Sequence, residues 1–458
     1  MIVMKFGGSS VANAERIRHV AGIIETFADK RPVVVLSAMG DTTDHLLEAA
    51  DTALAGTISI DAVETLHKQT ATELGVPLSE IDALLQELRT LLTGVSMLRE
   101  LTPRSKDYLV SFGERLSVRL MALYLNAKGT RAAFRDAWDI GFISDSNYTS
   151  ADLLPETWEN LRKNLGPYAE GKKGDGLPIP IVTGFIAKDA KGFITTLGRG
   201  GSDLTATIIG AAVRAEEVQT WKDVDGILTT DPRIVKEARP VPVATYDEVA
   251  ELAYFGAQVL HPRSMQPCLQ TGTPVRVKNS YNINAPGSII VTNHEGTPPA
   301  VRAITTKKNV TLIDIVSTRM LGQYGFLAKV FESFATHHIS VDVVATSEVS
   351  VSLTVDSEKS PLAALRADLS KYASVDVRKE RAIVTIICDV RRSSKIIAAA
   401  FEVLSRENIN IQMVSQGASK VNISLICHSS EANTVVTLLH SRFFGPEGED
   451  LLSSGGTA

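Results

Sequence analysis

The sequence predicts a layered α/β domain followed by a smaller unit that occurs twice. Three observations carry this prediction. Short apolar strands at residues 2–6, 33–40, 180–186, 218–221 and 274–279 end in Lys, Ser, Thr or Asp, with helical stretches between them. Such strands suit a parallel sheet covered on both faces, whose ligands gather at the strand ends. Pro286-Gly287, Gly296 and Pro298-Pro299 then mark a boundary. Beyond it the chain repeats itself. Phe331-Glu332-Ser333-Phe334 returns as Phe401-Glu402-Val403-Leu404, and Ile339-Ser340-Val341-Asp342-Val343-Val344 as Ile409-Asn410-Ile411-Gln412-Met413-Val414, both 70 positions on. Ser347 to Leu353 returns as Ser419 to Leu425, 72 on. Each copy reads strand, helix, strand, strand, helix, which predicts two ferredoxin-like βαββαβ units.

With 458 residues the chain is too long for one ordinary core. Its 44% hydrophobic and 22% charged residues fit a soluble globular protein. A net charge of −5 gives no reason to expect nucleic acid or an anionic membrane as partner. No apolar run approaches the ~20 residues that span a bilayer. The N-terminus opens as a strand without a basic leader, so no signal peptide is expected, and the scattered cysteines fit a reducing, cytoplasmic compartment. Cys268, Cys388 and Cys427 lie too far apart for a metal motif or a disulfide framework and read as buried small residues. No metal site is expected.

Taken in order, the first strand holds Lys5 against Gly7-Gly8-Ser9-Ser10, and a helix follows over about residues 12–28. A lysine beside a Gly-Gly loop can hold a phosphate oxygen, or it is a surface lysine. The second strand ends in Ser37, and Thr43 is either a ligand contact or a helix N-cap. Residues 45–101 read as helical with a break at Gly75-Val76-Pro77. A helix over 104–126 then places Glu114 in an apolar stripe with Val110, Val118 and Met121. A carboxylate there needs a partner, either a structural Arg or a ligand ammonium. Residues 166–176 read as a mobile connector. Gly198-Arg199-Gly200-Gly201-Ser202-Asp203 follows a strand and opens a helix capped by Ser202 or Asp203. It is an anion site at a helix N-terminus or a plain strand-to-helix turn. Lys222, Asp223 and Arg233 form a charged cluster past the next strand. Residues after Gly445 read as a frayed tail.

The ordered set Lys5-Phe6-Gly7-Gly8-Ser9-Ser10, Ser37-Ala38-Met39-Gly40, Ser111-Phe112-Gly113-Glu114, Gly198 to Asp203, Asp231-Pro232-Arg233, Gly256 to Pro262 and Val343 to Glu348 resembles the aspartokinases. Within them the likeness is to the monofunctional, lysine-sensitive type with two ACT domains, and it covers Met1 to about Phe444. The resemblance implies an amino-acid-kinase-type domain at 1–295 and a first ACT domain at 305–380, with the C-terminal segment a candidate to complete it. It implies a second ACT domain at 381–445 and a disordered tail at 446–458.

The implied reaction moves a phosphoryl group from MgATP to the β-carboxylate of L-aspartate, the first step toward lysine, methionine and threonine. By resemblance Lys5 neutralises the transferring phosphoryl and Asp203 orients Lys5. Gly7, Gly8, Gly200 and Gly201 offer N–H groups to phosphate. Glu114 takes the aspartate ammonium and Arg199 the α-carboxylate, with Ser37, Thr43 and Ser202 nearby. Lys222, Asp223, Leu228, Arg233 and Gln258 match nucleotide positions. Gln258 stands where many members carry Lys. Lys222 stands where many have a hydroxyl and supplies a charge, and Leu228 replaces an aromatic of some members. The lysine-site pattern falls on Met320, Gln323, Gly325, Phe326, Leu327, Asp342, Thr346, Ser347 and Glu348, with L-lysine as inhibitor and a homo-oligomer, dimer or tetramer, built through the ACT domains. Two other readings are an acetylglutamate or uridylate kinase, which leaves the repeat unexplained, and a sensor without catalysis, which the intact Lys5, Glu114, Arg199 and Asp203 disfavour.

Overall fold

The computed structural model describes residues 1–171, 176–257, 259–296, 298–317, 324–357, 361–417 and 421–446. The chain forms two compact units. One takes Met1–Ile227, Pro242–Tyr246 and Leu260–Asn293, and the other takes Leu228–Val241, Asp247–Val259 and the remainder from His294. Two segments inside 1–295 therefore pack with the second unit, because their apolar residues find their core there.

The first unit runs β1 (Ile2–Phe6), α1 (Ala14–Thr26), β2 (Pro32–Leu36), α2 (Thr42–Leu54), α3 (Asp61–Leu74), α4 (Ser79–Leu98), α5 (Pro103–Ala127), β3 (Ala132–Arg135), β4 (Ile143–Ser144), α6 (Glu156–Glu170), β5 (Ile179–Thr183), β6 (Ile186–Asp189), β7 (Ile194–Thr196), α7 (Gly201–Val213), β8 (Val218–Lys222) and β9 (Val243–Thr245). After α8 (Tyr246–Tyr254), most of which folds with the second unit, it closes with α9 (Pro262–Thr271), β10 (Val275–Asn279) and β11 (Ser288–Val291). Eight strands form one sheet in the order β3-β5-β2-β1-β8-β10-β11-β9, parallel except for the β10–β11 pair. From β1 the chain winds first toward β2, β5 and β3, then returns to place β8 on the other side of β1. That reversal leaves a crevice at the carboxyl ends of β1 and β8, the ligand position of open α/β sheets.

The two faces of β1 are distinct. Ile2, Met4 and Phe6 join the core shared with α1, α2, α4 and α5. Phe6 stacks on Trp221 at 5.7 Å. The alternate residues face α7, where the missing side chain of Gly210 admits Val218 and Val3. Lys5 shares that second face. The helix predicted over 104–126 is α5, entered through a Thr102 cap and Pro103 at its first turn. The expected connector at 166–176 differs: residues up to Glu170 complete α6, and 172–175 lie outside the described residues. Arg31 closes that end by donating to the carbonyls of Ala169 and Gly171.

The second unit carries β12 (Val301–Val316), α10 (Phe326–Thr336), β13 (Val341–Thr346), β14 (Ser350–Asp356), α11 (Leu362–Leu369), β15 (Ser374–Cys388), α12 (Ser393–Arg406), β16 (Met413–Gln416), β17 (Asn422–His428) and α13 (Ala432–Phe444). The repeat does not fold as two sheets in sequence. One six-stranded sheet, β13-β14-β12-β15-β17-β16, serves both copies. The later half of β12 and the first half of β15 pack with α10 and α11 around Ile313, Val330 and Leu353. The first half of β12 and the later half of β15 pack with α12 and α13 around Ile304, Val384 and Leu439. The second lobe thus takes its fourth strand from before the first lobe. The C-terminal segment, the candidate to complete the first lobe, instead supplies the second lobe's last helix.

Candidate functional site

Lys5, Gly8, Ser37, Ala38, Gly40, Thr43, Glu114, Phe185, Gly198 and the run Gly200 to Asp203 line one cavity of about 370 Å³ at the crevice. Backbone geometry shapes it. Gly198 and Gly200 have φ of 74° and 73°, left-handed values that favour glycine. A side chain on Gly8 would meet the Ala38 carbonyl oxygen at 2.7 Å and that of Gly40 at 3.2 Å. The Gly7-Gly8 loop therefore lies against the Ser37-Gly40 turn, tied by Gly40 N–H donating to the Gly8 carbonyl at 3.0 Å.

The expected side-chain cap of α7 does not form. Gly200 is the N-cap residue and makes no side-chain cap bond, and α7 starts at Gly201. Asp203, in the first turn, turns its carboxylate instead to Lys5 Nζ at 2.8 Å, with both side chains largely shielded. The pair joins strand end to helix start and fixes the ammonium at the mouth of the helix dipole. Lys222, at the end of β8, lies on the same sheet face, since Thr220 is the register partner of Lys5. Burial lowers the Lys222 pKa, Asp203 opposes that shift, and the Lys5 charge adds to it.

Across the cavity Glu114 is 4% exposed. Its Oε1 accepts from the Ala38 N–H at 3.2 Å, while Oε2 has no hydrogen-bond partner among the described residues. Burial pushes the carboxyl up to about 8. Among the described residues no arginine holds Glu114: Arg115 and Arg119 on the same helix pair with Glu87 and Asp136. The missing side chain of Gly113 lets α5 approach Ala38, whose Cβ would lie 2.6 Å from a Cβ there. A buried carboxylate with an oxygen lacking a partner among the described residues, in the same cavity as a fixed ammonium, can receive a small ligand that carries both a positive group and an anion.

Of the expected residues, Lys5, Gly8, Ser37, Thr43, Glu114, Gly200, Gly201, Ser202 and Asp203 meet here. Gly7 adjoins the Lys5 ammonium. Arg199 and Asp223 are exposed, and Arg199 is not among the cavity residues although its flanking glycines are. Leu228 and Arg233 belong to the second unit, where Arg233 pairs with Asp231 at 2.7 Å. Gln258, Met320 and Gln323 lie outside the described residues. In the second unit Gly325 opens α10 with φ of 84°, and Phe326 packs edge-on to Tyr372. Leu327, Thr346 and Glu348 are exposed, and Ser347 bonds Ser350 at 2.8 Å. The Asp342 carboxylate is occupied: Lys307 Nζ donates to both oxygens at 2.8 and 2.9 Å, and the Tyr254 hydroxyl donates at 3.1 Å.

Sequence reasoning missed Phe185 and Asp107. Phe185 lines the cavity with φ of 68°, held by its N–H donating to Thr205 Oγ1 at 3.1 Å. Its place after the buried strand Ile179–Thr183 was the available signal. Asp107 is buried in α5 and accepts from Thr149 N, Thr196 N and Thr196 Oγ1 at 2.9–3.0 Å, which fixes the strand leading into the glycine loop. No sequence signal pairs it with residues 42 and 89 positions away.

Among the described residues no group of three His, Cys, Asp or Glu side chains gathers as a metal site, and no helix is long and apolar enough to cross a membrane. The three cysteines are buried and unpaired.

Comparison with known proteins places this geometry in a family. Residues 1–279 match the amino acid kinase family, and residues 313–367 and 384–443 match an ACT domain. The chloroplastic aspartokinase 1 of Arabidopsis thaliana is 52% identical, aligned over 96% of this chain and 80% of the relative. The crystal structure of E. coli aspartokinase III with lysine and aspartate, in the T-state, superposes with a TM-score of 0.79 at 32% identity. That match covers 97% of this chain and 99% of the other. The same protein with aspartate and ADP, in the R-state, gives 0.77 at 33% identity, covering 97% and 100%. Together these matches establish that the chain belongs to the aspartokinase family and is an aspartate kinase.

Proposed function

We propose that the cavity at the β1–β8 crevice holds L-aspartate beside the γ-phosphate of MgATP. Glu114 takes the ammonium, and Lys5, oriented by Asp203, neutralises the phosphoryl as it moves to the β-carboxylate. The observation that carries this reading is the buried Glu114 carboxylate with a partnerless Oε2 in the same cavity as the Lys5–Asp203 pair. The acceptor is already an anion, so the chemistry needs positioning and charge neutralisation rather than a strong base. The glycine N–H groups and the start of α7 suit phosphate oxygens. Ser37, Thr43 and Ser202 border the aspartate, and Arg199 takes its α-carboxylate by swinging in between two glycines. Lys222, Asp223, Leu228, Arg233 and Gln258 serve the nucleotide, with Mg²⁺ entering on its phosphates. Complexes of the E. coli relative with aspartate and with ADP support an amino acid and a nucleotide as the two ligands.

The product, 4-phospho-L-aspartate, feeds lysine, methionine and threonine synthesis. L-Lysine acts as feedback inhibitor through the first ACT lobe, at Met320, Gln323, Gly325, Phe326, Leu327, Asp342, Thr346, Ser347 and Glu348. The lysine complex of the E. coli relative favours this. An effector ammonium arriving at Asp342 must compete with Lys307, so Glu348, which is exposed, is the readier anion. The protein works as a cytoplasmic homo-oligomer joined through its ACT lobes.

Trapping the acyl phosphate as a hydroxamate tests the catalytic reading. Product should require both aspartate and ATP and form about 10²–10³ times more slowly in Lys5→Ala, and full activity of that variant overturns it. Titrating lysine at fixed aspartate, with molecular mass measured alongside, tests the regulatory reading. Unchanged activity up to millimolar lysine rejects it.

A further inference from the structure

The segment Leu228–Val241, which carries Leu228 and Arg233, folds with the ACT unit. Its ends pinch together: Thr229 N–H donates to the Arg239 carbonyl at 2.9 Å, and Leu228 bridges to Pro240. Ile234 and Val235 sit in the apolar core built by α12 and α13. The Ile304 N–H of β12 donates to the Thr229 carbonyl at 2.7 Å. At the other end of the strap the Arg239 guanidinium donates to the Phe444 carbonyl at 2.8 Å, at the last turn of α13.

At the centre of this arrangement Thr229 Oγ1 lies 3.0 Å from His440 Nε2 on α13. Both side chains are buried, at 4% and 5% exposure. The Arg239 N–H also donates to Thr229 Oγ1 at 3.1 Å, so the hydroxyl oxygen joins the strap backbone to the imidazole, with the donor between Oγ1 and Nε2 set by the imidazole tautomer. Burial holds the imidazole below its ordinary pKa, as does nearby Arg239, while Glu237 works the other way. The Phe444 ring lies against the imidazole at 4.7 Å, tilted by 33°.

We infer that His440 is a positioning residue for the nucleotide, acting through Thr229. The imidazole of the last helix sets the hydroxyl and thereby the backbone on which Leu228 and Arg233 stand. This rests on the assignment of those two residues to the nucleotide. It gives the second ACT lobe a role in substrate affinity that requires no effector to be bound.

Steady-state kinetics of the full chain without lysine test this. His440→Leu removes the ring nitrogen at similar bulk, and His440→Gln offers an amide group, able to accept or donate, near the position of Nε2. Loss of one buried hydrogen bond predicts a rise of about three- to ten-fold in KM for ATP in His440→Leu. The KM for aspartate should stay within about two-fold, since only the strap is displaced. Thr229→Val should give the same rise, and the double variant no more than either single one. His440→Gln should recover most of the wild-type KM. Arg233→Ala, measured beside them, separates the two levels of the argument. If Arg233→Ala leaves the KM for ATP unchanged, the nucleotide assignment fails. If Arg233→Ala raises it while soluble His440→Leu does not, the positioning role fails alone. Additive effects of His440→Leu and Thr229→Val, or no recovery in His440→Gln, also overturn it.

Discussion

Replacing Glu114 with Gln should make the substrate-free enzyme more stable at pH 8 and at the same time nearly blind to aspartate. The carboxyl is buried, accepts from the Ala38 N–H through Oε1, and has no hydrogen-bond partner at Oε2 among the described residues. Burial raises it from 4.5 to about 8. Between those values the folded chain keeps a proton that the unfolded chain has released, so stability falls as pH climbs through that window. At pH 8 the penalty is on the order of 4 kcal/mol. Gln mimics the protonated form at every pH, so Glu114→Gln should remove that penalty and raise the thermal midpoint at pH 8 by several degrees. The same change deletes the negative charge that the aspartate ammonium requires. Breaking one side of a buried charge pair costs about 2–5 kcal/mol, or about 30-fold or more in KM for aspartate. In the wild type, aspartate must expel the proton to bind, so its KM should fall about tenfold per pH unit below pH 8 and flatten above it. Differential scanning fluorimetry from pH 5 to 9, with and without aspartate, and hydroxamate kinetics over the same range measure both effects. A Glu114→Gln enzyme that keeps a wild-type KM, or is less stable at pH 8 without substrate, refutes the reasoning.

Other changes probe the opposite wall. Lys5→Ala should lower kcat by about 10²–10³, the usual loss when a preorganised charge at the reacting group is removed, and hydroxamate rates measure it. Asp203→Ala frees the Lys5 ammonium and should chiefly lower turnover, whereas Arg199→Ala should chiefly raise the KM for aspartate; a reversed pattern in the two kinetic parameters would separate the loop differently. Gly8→Ala drives a methyl against the Ala38 and Gly40 carbonyl oxygens. It should destabilise the first unit by about 1–3 kcal/mol and abolish activity, read by denaturant titration and assay.

Much of the site was legible in the chain. Lys5 before Gly7-Gly8, and the glycines of the 198–201 run, announce themselves because phosphate chemistry needs bare N–H groups and a fixed cation, whereas Arg199 within that run is exposed and not among the cavity residues. Glu114 stood out as a carboxylate in an apolar stripe, and its missing arginine could be known only when Arg115 and Arg119 were seen pairing elsewhere. Asp203 read locally as a helix cap, and only the family resemblance named it as the residue that orients Lys5. It is a lysine partner because period-two alternation turns Lys5 toward α7, a relation between residues 198 positions apart.

By itself the sequence determined the element types, the Gly and Lys chemistry at the strand ends and the presence of two related α/β copies. These follow from periodicity and residue type within windows of a few turns. Tertiary structure decided which partners meet. It closed the Asp203–Lys5 pair, left Glu114 Oε2 without a partner among the described residues, and spent Asp342 on Lys307. It also ran β12 and β15 through both lobes and drew the strap at 228–241 into the ACT core, because a long strand or an apolar segment is claimed by whichever surface buries it best, and that competition has no signature in local sequence.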